Sequence, residues 1–265
     1  MVDTYYYGDT NSEKQAYPCV VNNRFLQQFT NLGAGTSQFV ISPNQGVSDI
    51  VLYFQMPAND SNGLTNDASG NQLVEGWGNA LIRTVSVRYG SSAQYFFSGG
   101  QIWMQNLWDC EDSRKMSQMA NLVGNAIVGG QGVAGAQAFV YLNLPHCSPR
   151  ADGKPLPFPS DLLVQPIVVT VELNPISSAF IGVTGGGNGT LPSQLGAAQL
   201  QVKQEMMQDS ADLLARRMDM NTHAYTFPLK YFPQQETTIQ IPTGSTSASA
   251  PNTVNLTGKY CPCVC

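Results

Sequence analysis

Turn-forming residues interrupt this chain so often that only short extended segments fit between them. Gln38-Phe39-Val40-Ile41 runs into Ser-Pro-Asn-Gln-Gly, Asp49 to Met56 is stopped by Pro57, and Ala138 to Leu144 is stopped by Pro145. Leu81 to Tyr89 alternates apolar with polar residues and ends at Gly90-Ser91-Ser92. Each run has strand length and is rich in β-branched and aromatic side chains, which fit a pleated, half-buried surface. Turns recur roughly every 8–15 residues, a rhythm that predicts an all-β sandwich. Gln94 to Phe97 and Gln101 to Met104 read as further strands around Gly99-Gly100. Leu162 to Leu173 reads as a strand that is bulged or at an edge near Pro166, because proline cannot donate to a ladder. Ala179 to Val183 reads as one more short strand.

The hydrophobic period changes in two places. Met116, Met119, Ala120, Val123 and Ile127 recur at three and four, with Asp109 or Asp112 available as the N-cap, which predicts a helix ending near Gly129-Gly130. Leu195, Ala198, Val202, Met206, Leu213 and Met220 share one side of a helix, which predicts an amphipathic connecting helix between Pro192 and Met220. The organisation expected is an N-terminal arm at 1–19, a sandwich domain at 20–190, a connecting helix at 191–222, and a start of a second β domain or an extended C-terminal tail at 223–265. Eight strands in two sheets make a jelly roll. The fold class expected is therefore all-β: an eight-stranded jelly-roll β-sandwich with inserted helices.

Charge is scarce. Charged residues make up 12% of the 265, where roughly 25% is ordinary for a soluble domain. The net charge of −5 argues against a surface that wraps nucleic acid, which needs clustered Lys and Arg to displace counterions. No stretch approaches the roughly 18 apolar residues of a membrane-spanning helix. The opening Met-Val-Asp-Thr-Tyr-Tyr-Tyr has neither the basic nor the apolar region of a secretory signal, so the six cysteines are expected as reduced thiols.

Few residues suggest chemistry. The two histidines, His146 and His223, lack metal-ligand spacing, and a histidine cluster of the cupin kind is not available. His146 and Cys147 are adjacent, and neighbours at a strand end point to opposite faces, so they are not read as a catalytic pair. Cys261, Cys263 and Cys265 lack the turn-forming spacing of a zinc site and read as an exposed tail. The glycine-rich stretches at 129–132 and 185–189 lack the sequence context of phosphate cradles. Three glycosylation sequons begin at Asn59, Asn188 and Asn255 and read as silent without a secretory signal. Trp77, Trp103 and Trp108 could form a sugar-binding platform, but aromatics in a β-sandwich are more often core. The expectation is no catalytic, cofactor-binding or metal residues, no cofactor, and no enzymatic activity.

One segment carries a resemblance. Leu81-Ile82-Arg83-Thr84-Val85-Ser86-Val87-Arg88-Tyr89-Gly90, then Phe97-Ser98-Gly99-Gly100-Gln101-Ile102, then Trp108 resembles the first jelly roll of major capsid proteins of large double-stranded DNA viruses. In that family a strand runs into a Gly-Gly-Gln turn followed by a Trp-containing helix. The proline-rich turn after Phe139 and the strand Leu162 to Leu173 are similar to the strand that closes the family's first jelly roll. Together these stretches cover about a quarter of the chain. Here Gly-Gly-Gln is displaced by an inserted Ser-Ser-Ala-Gln-Tyr-Phe-Phe, and the chain is about half the length of a double jelly-roll subunit.

The resemblance implies a viral capsid structural protein that self-assembles into an icosahedral shell. It implies a homo-oligomer, a trimer if two jelly rolls per chain surround the axis, together with other capsid proteins. No direct nucleic-acid contact follows from it, and the implied location is the virion, assembled in host cytoplasm. The length implies either a truncated major capsid protein, whose residues after about 221 lack a complete core, or a single jelly-roll penton or minor component. A non-viral β-sandwich carbohydrate-binding module is the alternative from another class.

Overall fold

In the computed structural model, residues 19–42, 46–58, 72–91, 94–108, 110, 112–124, 133–142, 158–160, 163, 165–181 and 191–207 are described. Among them, eight main strands are divided between two antiparallel sheets. The first sheet holds β1 (Cys19–Gln28), β3 (Gly46–Gln55), β7 (Gln137–Leu142) and β11 (Ala197–Met207), in the order β1-β11-β3-β7. The second holds β2 (Gly35–Ile41), β5 (Ile82–Tyr89), β6 (Gln94–Ser98) and β9 (Ile167–Leu173), in the order β2-β9-β5-β6. Three two-residue strands complete the set: β4 (Gln72–Leu73) pairs with β10 (Phe180–Ile181), and β8 (Phe158–Pro159) pairs with β3.

The topology follows from nesting. Among the eight main strands the first pairs with the last, the second with the seventh, the third with the sixth and the fourth with the fifth, with consecutive pairs falling in alternate sheets. A long antiparallel hairpin rolled up on itself produces that order. It is a jelly roll.

Alternation decides which face of each strand is buried. In β9, Ile167, Val169, Val171 and Leu173 are buried and the residues between them are half-exposed. Its β-branched side chains suit a central strand, flanked here by β2 and β5. Pro166 immediately precedes this strand, so it costs the ladder nothing, and the strand is central, correcting the expectation of an edge or bulge. Ile50, Leu52 and Phe54 of β3 face Ala138, Val140 and Leu142 of β7 on the same inner surface. Phe29 crosses between the sheets, with ring centroids 4.9 Å from Phe39 and 5.8 Å from Phe54.

β11 overturns the helix expected over 191–222. Ala197–Met207 is a strand between β1 and β3, and Ala198, Leu200, Val202 and Gln204 are buried at every second position. A spacing of four satisfies period 2 as well as one helical turn, so Ala198, Val202 and Met206 match both patterns. Leu200 breaks the tie, since a helix would turn it away from that face. The jelly roll accordingly extends beyond residue 190, and residues 208–222 lie outside those described.

Among the described residues three α-helices accompany the sandwich: α1 (Trp77–Ala80), α2 (Gly99–Trp108) and α3 (Ser113–Val123). α2 replaces the strand expected at Gln101 to Met104. Ser98-x-x-Gln101 has the spacing of a capping box, and the Gln101 N–H donates to Ser98 Oγ at 3.2 Å. Gly99, Ile102 and Asn106 form its buried side. Gly99 must be small, because a Cβ there would overlap the carbonyl oxygen of Asn79.

α3 starts where its cap predicts, at Asp112, whose Oδ1 accepts from the Lys115 N–H at 2.7 Å. It ends at Gly124, earlier than expected, where the backbone takes φ +107° against the indole of Trp77. Most of α3 is exposed, so little packing compensates for a lost cap. Asp112→Ala is expected to lower stability by about 1 kcal/mol, measured as a shift in urea midpoint at unchanged slope.

Candidate assembly surface

The chemistry-bearing residues singled out in the sequence are not gathered by the fold. His146, Cys147, His223, the terminal cysteines and all three sequons lie outside the described residues. So do most residues of the stretches 58–78 and 146–159. Among the described residues no three His, Cys, Asp or Glu side chains cluster as metal ligands would. The charges pair locally: Arg83 Nη1 meets Glu172 Oε1 at 2.8 Å, Thr84 Oγ1 donates to Glu172 Oε2 at 3.1 Å, and Lys203 lies 3.7 Å from Asp49. These pairs sit at the surface and join neighbouring strands.

The tryptophans separate. Trp77 is buried in the core, Trp103 is half-buried over Gly76, and Trp108 is 87% exposed at the end of α2. Because Trp77 faces no solvent, the three do not form one platform. The expectation of a core role holds for Trp77 and fails for Trp108.

Among the described residues, the fold leaves its two lateral edges open. At one, β1 and β2 lie side by side, tied by a hydrogen bond from Gln27 Nε2 to the Val40 carbonyl at 2.9 Å. Phe25, Leu26 and Val40 are exposed there. The two sheets part at this edge and leave a cleft of about 220 Å³ between Phe25, Gln27, Val40, Ile41, Val202 and Gln204. Register explains its position: Phe25 pairs with Val202 and Gln27 with Leu200, so both side chains share the inner face of the first sheet.

At the opposite edge lie β6 and β7, bridged by α2. Asn106, buried on α2, donates from Nδ2 to the Tyr141 carbonyl of β7 at 3.0 Å and fixes the helix across the gap between sheets. With Ile102 and Asn106 turned inward, Gly100, Met104 and Trp108 fall on the outer side, one turn apart. A surface helix ordinarily presents charge outward. α2 contains no charged residue, and Met104 is 63% exposed. Phe96 on β6 and Tyr141 on β7 are also exposed. A protein that keeps such a helix in water carries a surface suited to contact.

In fold, the chain is similar to viral capsid chains. It resembles the crystal structure of PBCV-1 VP54 fitted into a cryo-EM reconstruction of the virophage Sputnik, with a TM-score of 0.48 and 15% identity over 77% of this chain and 47% of that one. It also resembles a chain of the quasi-atomic model of the PBCV-1 virus capsid, with a TM-score of 0.48 and 16% identity over 78% of this chain and 47% of that one. The chain thus spans about half the length of the solved chains it matches. No family model and no curated protein matches it.

Proposed function

We propose that this chain is a structural subunit of the icosahedral capsid of a large double-stranded DNA virus, a major capsid protein or a shorter form of one. The observation that carries this reading is the exposure of apolar, uncharged side chains at both lateral edges of a jelly roll. A binding module needs one recognition surface, and an enzyme needs one convergent polar site. A subunit that tiles a shell needs contacts on opposite sides.

The sequence resemblance around Leu81 to Trp108 supports the same reading, since these residues form β5, β6 and α2 of the sandwich. The scarce charge supports it too. Neighbouring copies with little net repulsion approach without large desolvation costs, and contacts that are individually modest can be remade during assembly. In this role the protein works by burial of surface and turns over no substrate, and its location is the virion. A trimer suits a subunit that contributes two jelly rolls. A pentamer suits a single-sandwich subunit at a fivefold vertex, with assembly in host cytoplasm in either case.

The test is mass in solution by light scattering, with negative-stain images of the same peak. A discrete trimer or pentamer with a central axis supports the proposal and selects between the two positions. A monomer at every soluble concentration removes self-assembly and favours the binding module.

A further inference from the structure

We draw no further inference here: the strongest candidate, the uncharged outer side of α2 with Met104 and Trp108 exposed, is an unpartnered apolar face, and nothing in the structure shows what covers it.

Discussion

Leu200→Ala is expected to lower the unfolding free energy by about 2–5 kcal/mol, while Gln201→Ala, one residue along, changes it by no more than about 0.5 kcal/mol. Leu200 is wholly buried at the middle of β11, paired with Gln27 on one side and Leu52 on the other. Removing its side chain leaves a cavity between two sheets that collapses poorly around it, because both neighbouring strands pair with β11 in unbroken register on either side of Leu200. Gln201 faces the other way and is half-exposed. Urea denaturation of the full chain measures both. Comparable small losses at the two positions would restore a helix at 191–222, on which Leu200 lies away from the apolar side.

The second large effect is expected at the joint between α1 and the end of α3. Trp77 is 1% exposed, and its indole lies where a Cβ on Gly124 would sit. The Gly124 carbonyl also accepts the Gly76 N–H at 2.8 Å, so backbone and side chain lock the same place. Trp77→Ala should cost about 3–5 kcal/mol as a large-to-small core change. Gly124→Ala should cost about 2–4 kcal/mol, from a φ of +107° that L-residues avoid and from overlap with the ring. Removing the ring relieves the overlap and leaves the strain. The double variant is therefore expected to be about 1–2 kcal/mol more stable than the sum of the two losses implies. Strict additivity in the denaturation midpoints would mean that Trp77 and Gly124 do not touch.

Much of this fold can be read from local pattern, and the failures have physical causes. β3 and the alternating strand at Leu81 to Tyr89 show themselves because one face of each is buried and a turn stops it. α3 shows itself through Asp112, whose cap lies in the sequence three residues before the N–H it accepts. β11 is misleading because its apolar residues at four-residue spacing fit a helix face, and only Leu200 argues against it. α2 is hidden by Ile102 and Trp103, which have strand propensity, although Ser98-x-x-Gln101 is the signature that would have found it. The candidate surface is the least legible part. Which strands end a sheet is a property of pairing over long separations, so nothing local marks Phe25 or Val40 as edge residues. Trp108 looks like core until α2 turns Ile102 and Asn106 inward and leaves it outside.

The nested strand order also sets a timetable. β1 is made first, yet its only partner among the main strands is β11, the last of the eight to leave the ribosome. β11 is also the strand that joins β1 to β3, so the first sheet has a gap between them until synthesis passes residue 207. For most of its birth the chain must carry its earliest strand, with Phe25 and Leu26, beside a vacancy. This sandwich is completed from its middle, by its last strand, and a nascent chain has little to gain from folding early.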